Sequence, residues 1–234
     1  MTAGNTQTPI DQVRCITNIF TGRTGARIAI TAFDRGHVVT LLTSHPEVVD
    51  TLPTARTREP PDWRVCQYRT FEDLERLMSA EISAGGYDVV VHSAAVSDYH
   101  VVGVFVQRDG QLEDVTAGKV KSHYPEVWFK LTPTPKLIDK VRADWGFRGV
   151  LVKFKLEVGV SDAELLDTAE RSRVHSGADL MSANTLEGRH DWAYIGAGAG
   201  GYRRVSRNDL ADQLLDAVST LARVGVSTNR LPGA

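Results

Sequence analysis

Cysteine is scarce in this 234-residue chain, which carries only Cys15 and Cys66. Neither belongs to a Cys-x-x-Cys or Cys/His spacing, so a structural zinc site is excluded and both are expected to be plain buried thiols. A basic excess is also missing. The formal net charge is -2, which leaves no source for sequence-independent attraction to the phosphates of nucleic acid. Small-molecule chemistry is the better expectation. No run of about 18 apolar residues exists to span a bilayer, and no basic segment followed by a hydrophobic one opens the chain. Neither membrane insertion nor export is expected, and the location implied is cytoplasmic. Internal repeats and low-complexity tracts are absent too, which removes solenoid and linker readings.

What remains is an ordinary globular composition, 42% hydrophobic and 24% charged. At this length one hydrophobic core suffices, so residues 1–234 are expected to form a single domain. Short apolar runs recur at His37 to Thr43, Arg64 to Arg69, Tyr87 to Ser93, Gly149 to Phe154 and Ala178 to Ala183. Each has the length of a strand. Helical patterns lie between them: Gly25 to Arg35 puts Ile28, Ala29, Ala32 and Phe33 on one face. Thr70 to Ala84 opens with Thr70 and Asp73 as a capping box, followed by Leu74, Leu77 and Met78. The alternation predicts an α/β fold, a doubly wound, mostly parallel, Rossmann-like sheet whose ligands bind beyond the carboxyl ends of the strands.

Some stretches depart from that pattern. Ser44 to Asp62, rich in Pro, Thr and charge, reads as a loop with freedom to move. Residues 101–130 contain VVGVFVQ and the turn Arg108-Asp109-Gly110, and predict a β-hairpin flap protruding from the main sheet. Only Met1 to Gly4 precedes the first polar loop, so the first strand is expected to be truncated. Asn208 to about Val224 reads as an amphipathic helix through Leu210, Leu214, Leu215, Val218 and Leu221, with a frayed tail after Val226.

Four segments carry chemistry. In Ile10 to Gly25 (IDQVRCITNIFTGRTG), a Thr/Gly-rich turn opens into a helix whose free N–H groups and dipole favour an anion. A loop capped by Thr21 or Thr24 accounts for the same residues. His92 to Tyr99 ends the strongest strand with small residues that let a ligand approach the backbone, or that simply cap with Ser97 or Asp98. Ala117 to Ser122 holds Lys119 and Lys121, which point the same way on extended backbone and would clamp phosphates, unless they are only solvated surface charge. Thr132 to Ile138 places two prolines before a helix that runs to about Asp144, either a second phosphate region or a plain helix start. GAGAGGY, Gly196 to Tyr202, invites a dinucleotide reading but follows no strand-to-helix crossover with a downstream acid.

Taken in order, IDQVRCITNIFTGRTG, AAVSDY, GKVK, LTPTPKLI, FKLE and Ala183-Asn184 resemble the phosphopantothenate–cysteine ligase family of coenzyme A biosynthesis, from Thr2 to about Leu186. The resemblance implies a two-step reaction. The carboxylate of 4'-phosphopantothenate attacks the α-phosphate of CTP or ATP with the help of Mg2+, and the amine of cysteine then displaces the nucleotide. It also implies roles for individual residues. Asn18, Lys119 and Arg14 fall to catalysis; Thr21, Gly22, Gly25 and Ala95 to the substrate phosphate; Ser93, Ala94, Asp98, Pro135, Lys136, Leu137, Ile138 and Phe154 to the nucleotide. Which residues would hold the metal is left open. The flavin-dependent domain of bifunctional relatives has no residues here, so flavin is not expected. A homodimer is implied, in which the flap completes the neighbour's site. The chain departs from the pattern at Ser172 and Ser176, where relatives using CTP carry lysines. Lys153 and Lys155, or Arg171 and Arg173, are the cations that remain to replace them. Two other readings stay open: a non-catalytic nucleotide-binding relative and a pyridine-nucleotide oxidoreductase, although the latter's Tyr-x-x-x-Lys pair is missing.

Overall fold

The computed structural model describes the chain apart from residues 56, 58, 60, 199, 200 and 229–234 and the side chains of residues 224–228. The chain begins with a two-residue strand, β1 (Thr2–Ala3), and an antiparallel ribbon of β2 (Gln7–Pro9) and β3 (Cys15–Thr17). Helix α1 (Arg23–Asp34), β4 (Val39–Thr43), the short α2 (Pro46–Asp50), β5 (Trp63–Gln67), α3 (Phe71–Ala84) and β6 (Val89–His92) follow. An excursion through β7 (Tyr99–Arg108), β8 (Gln111–Asp114) and β9 (Trp128–Pro133) leads to α4 (Leu137–Ala143) and β10 (Val150–Glu157). Then come α5 (Asp162–His175), β11 (Leu180–Thr185), β12 (Trp192–Gly196), β13 (Arg203–Ser206) and α6 (Leu210–Thr228).

Eight strands form the central sheet in the order β13-β12-β11-β10-β6-β1-β4-β5. From β11 to β5 every pairing is parallel, and β12 and β13 add antiparallel strands at one edge. The chain winds outward from β1 to β5, then returns to β6 on the other side of β1. The β1/β6 boundary is therefore the topological switch point, where a crevice opens at the strands' carboxyl ends. Helices α1 and α6 cover one face with a core that includes Ile28, Phe33, Leu41, Val152 and Leu214; α3 and α4 cover the other with Leu74, Met78, Val141 and Leu151. The four apolar residues expected on one face of α1 are all buried, and the capping box of Thr70 and Asp73 starts α3.

Strand β1 is short yet central. Thr2 and Ala3 pair with Leu42 and Thr43 on one side, and Thr2 pairs with His92 on the other. Longer neighbours on both sides supply the order that two residues cannot supply alone. The stretch after Ser44 is not wholly loop, because Pro46 starts α2 and Val49 is buried against the core of the α1 face. The flap exceeds a hairpin. β7 pairs with β8 through the turn at Asp109 (φ 49°) and Gly110 (φ 79°), the left-handed geometry that a two-residue hairpin demands, and β9 adds a third strand on β7's other edge. The cysteines are not buried as expected. Cys15 is exposed because β3 lies in a ribbon outside the core, and Cys66 is half-buried because β5 is an edge strand. In GAGAGGY, Gly196 ends β12, which returns antiparallel through β13, and residues 199 and 200 lie outside the described residues.

Candidate active site

Gly22 sets the start of α1. It is the N-cap, left-handed at φ 79°, and a Cβ there would lie 2.0 Å from the Gly4 nitrogen. At Gly25 a Cβ would lie 2.3 Å from Ser93 Oγ and 2.8 Å from Ala3 Cβ. Only glycine lets the helix press this closely onto β1 and the end of β6. Among the described residues no side chain caps the helix, so the alternative of a cap by Thr21 or Thr24 is not realised, and its first turn holds no acidic residue. The open N-terminus keeps its affinity for an anion.

Buried and half-buried polar residues bind the strand ends together. Asn18 Nδ2 donates to the carbonyl of Ala95 at 3.1 Å, and Asn5 Nδ2 donates to the carbonyl of Asn18 at 2.5 Å. Asn5 is in turn fixed by Ser44, whose Oγ accepts from the Asn5 amide at 2.9 Å. The Ala95 amide donates to Gly4 O at 2.8 Å, and the Ser97 amide to Thr6 Oγ1 at 2.7 Å. The loop at Asn18 and the exit of β6 are thus in direct contact. Asn5, Thr6 and Ser44 were missed in the sequence. The polar run after β1 was their only signal, and their partners lie 39 or more positions away or on a chain segment that doubles back.

The segment expected at the nucleotide docks on the same strand end. The Thr134 amide donates to Asp98 O at 2.9 Å, Thr134 Oγ1 donates to Ser97 O at 2.7 Å, and Lys136 forms an ion pair with Asp98. Ser93 Oγ donates to Thr2 O at 2.7 Å. Leu137 and Ile138, by contrast, are core residues, 2% and 5% exposed, packed among residues such as Leu74 and Met78. Their side chains cannot meet a ligand, because helical spacing points them into the α3/α4 layer. Phe154 is half-buried and packs on the core of the α1 face.

Arg14 and Lys119 gather elsewhere. Arg14 pairs with Asp11 at 2.5 Å and donates to the carbonyl of Val120 at 2.5 Å, while Asp11 Oδ2 accepts from the Val120 amide at 3.0 Å. The Arg14 guanidinium, first among several donors, holds the Asp11 carboxyl well below the usual carboxylate range. The chain bends at Gly118 and Lys119 instead of running extended, since Val120 is buried and pinned to the ribbon. Lys119 and Lys121 therefore do not share one face of an extended strand, yet both line one open cleft of about 450 Å³ with Arg14 and His123. Strand β3 separates Arg14 from Asn18, four residues that span roughly 13 Å when extended. Within one chain, Asn18 joins the β6 exit, and Arg14 and Lys119 sit at the ribbon's far end.

On the α4/α5 side, His92 Nδ1 lies 3.0 Å from Thr2 Oγ1. Burial, then the nearby Lys153, pushes the His92 imidazole down to about 4, so it is neutral. Lys153 crosses to α5, donating to Ser172 O at 3.0 Å and Ser176 Oγ at 3.3 Å. Arg173 is committed to Glu170 at 2.7 Å and Arg171 to Asp167 at 2.5 Å, which leaves Lys153 as the cation beside the two serines. Among the described residues no three His, Cys, Asp or Glu side chains are grouped to hold a metal ion, and no helix is long and apolar enough to cross a membrane.

Known proteins share this fold. Residues 1–221 match the family described as DNA/pantothenate metabolism flavoprotein C-terminal domain. The coenzyme A biosynthesis bifunctional protein CoaBC of Thermococcus kodakarensis is 33% identical over 227 residues, 94% of this chain and 50% of that protein. The chain thus spans about half the length of that relative. The crystal structure of the DNA/pantothenate metabolism flavoprotein from Streptococcus pneumoniae superposes with a TM-score of 0.76 at 27% identity, covering 94% of this chain and 96% of that one. A Cab2 variant in complex with phosphopantothenate-cysteine shares the fold, with a TM-score of 0.76 at 16% identity over 98% of this chain and 87% of that one.

Proposed function

Because this chain belongs to the family of DNA/pantothenate metabolism flavoprotein C-terminal domains, we propose that it joins 4'-phosphopantothenate to cysteine. CTP or ATP activates the acid. The observation that carries the reading is the Asn18–Ala95 hydrogen bond, which closes the loop before α1 onto the exit of β6 at the switch point. A carboxylate and a triphosphate are both anions. Bringing them together demands cations and N–H groups in a site shielded from water, or the acyl-nucleotide would hydrolyse. The open N-terminus of α1 answers part of that demand.

In the first step a carboxylate oxygen of phosphopantothenate bonds to the α-phosphorus and pyrophosphate leaves. In the second the amine of cysteine attacks the acyl carbon, loses a proton and releases the nucleoside monophosphate. Asn18 is assigned to the acyl intermediate and Gly22, Gly25, Thr21 and Ala95 to the substrate phosphate. Ser93, Ala94, Asp98 and Lys136 are assigned to the nucleotide, with Pro135 shaping the approach. Mg2+ entering with the nucleotide would supply charge neutralisation on its phosphates. Neither step transfers electrons to or from a flavin.

Lys119 reaches the chemistry from a second copy in this reading. The flap exposes Tyr99 (50%), Val102 (51%), Trp128 (48%) and Leu131 (44%), an apolar surface suited to burial in a homodimer. A test is to incubate the protein with 4'-phosphopantothenate, cysteine, Mg2+ and CTP or ATP and follow pyrophosphate. Turnover with one nucleotide is expected. Binding without pyrophosphate release would replace the reading with a non-catalytic nucleotide-binding protein.

A further inference from the structure

Lys153 lies on β10 opposite His92 of β6 and Met181 of β11, well inside the parallel sheet. Strand alternation puts it with Leu151 and Lys155 on the face covered by α4 and α5. Lys153 is half-buried, and among the described residues its ammonium donates only to the Ser172 carbonyl and the Ser176 hydroxyl. No carboxylate among the described residues pairs with it. Of the charged neighbours, Lys155 pairs with Glu157 at 3.0 Å and Lys136 with Asp98; Asp139, whose Oδ2 lies 3.4 Å from His175 Nε2 and whose Oδ1 is buried with no hydrogen-bond partner among the described residues, attracts Lys153 without pairing with it. His92 beside it is neutral.

An unpaired, partly desolvated ammonium is costly, and its cost rises with other cations close by. Burial first, and then Lys155 and Lys136, hold the Lys153 pKa below the usual lysine value against the opposing pull of Asp139. A bound anion would reverse that balance. The lysines come from two elements, β10 and the start of α4, and Lys136 is anchored at the β6 exit through Asp98. An anion serving both must be extended and multiply charged, which describes a polyphosphate better than a carboxylate. The small side chains of Ser172 and Ser176 leave the last turn of α5 open for the amine to reach it.

We propose that Lys153 is a phosphate-binding residue of the nucleotide site, held in place by the last turn of α5. The assignment rests on the ligase reading for the identity of the ligand. A purely structural alternative makes Lys153 a cation at the helix C-terminus and nothing more.

Two measurements separate these. In the first, Lys153→Met is compared with the wild type in steady state. The nucleotide KM is expected to rise about tenfold or more, with the KM values for phosphopantothenate and cysteine unchanged, and Lys153→Met/Ser176→Lys is expected to recover most of the loss. A folded Lys153→Met variant with an unaltered nucleotide KM overturns the proposal. The second uses the wild-type protein, so it holds even if the variant does not fold. Amine acylation is mapped by mass spectrometry with and without inorganic tripolyphosphate. Lys153 is expected to be protected while exposed Lys130 is not. Equal labelling of Lys153 in both conditions overturns the proposal. Absence of turnover by the wild type would sink the ligase reading instead, and the labelling result would still decide the role of Lys153.

Discussion

The side-chain amide of Asn18 and the main-chain carbonyl of Ala95 are hydrogen-bonded at 3.1 Å, across 77 positions of sequence. That bond joins the loop before the first long helix to the strand end at the switch point. Asn18→Asp removes the donor and places a negative charge where the proposed reaction would gather anions. The expected result is a fall in kcat of about 100-fold or more, with Tm lowered by a few degrees because the lost bond is worth about 1 kcal/mol. Turnover and thermal unfolding of the same preparation check it.

Lys119→Gln should slow turnover comparably while altering stability by less than about 0.5 kcal/mol, because Lys119 is exposed. If Lys119 serves the neighbouring subunit, mixing and re-associating inactive Asn18→Asp and Lys119→Gln proteins restores activity. A statistical mixture of dimers yields about one quarter of the wild-type rate, since each mixed dimer keeps one intact site. A mixture that stays inactive shows that each chain uses its own lysine.

Gly22 and Gly36 are both left-handed, at φ 79° and 91°, but only Gly22 has backbone within reach of an added methyl group. Gly36→Ala should cost about 1–2 kcal/mol from backbone strain alone. Gly22→Ala should cost more, because its Cβ would lie 2.0 Å from the Gly4 nitrogen and would push α1 off β1. Urea unfolding of the two variants measures the difference, and equal losses would contradict the close approach.

His92 makes stability depend on pH. Its imidazole titrates at 6.5 when unfolded and at about 4 when folded. Between those values the unfolded chain binds the proton and the folded chain does not, so acid favours unfolding. The contribution is present in full above pH 6.5 and is lost as pH falls toward 4, by an amount on the order of 3 kcal/mol. His92→Asn should flatten this part of the stability profile.

The Lys136–Asp98 ion pair is solvent-exposed, with 58% and 64% of the side-chain surfaces accessible. Lys136→Ala should therefore change stability by less than about 1 kcal/mol. If the pair faces the nucleotide, the same change raises the nucleotide KM and leaves the cysteine KM alone. An unchanged nucleotide KM would remove Lys136 from the site.

The sequence by itself determined the layered α/β architecture. Apolar runs of strand length and helices with one buried face, such as Ile28, Ala29, Ala32 and Phe33, are local patterns, and burying them leaves few arrangements. The capping box at Thr70 was likewise legible, because its two partners lie three residues apart. Tertiary structure alone decided what depends on distant segments. It made Thr2 and Ala3 a central strand by flanking them with β4 and β6, and turned Leu137 and Ile138 into core. It set Lys119 at the ribbon's tip, away from Asn18, and carried Lys153 across to Ser172 and Ser176. Periodicity records which face of an element is buried, whereas a site is made by side chains whose partners lie tens of residues away, and only the folded chain sets those distances.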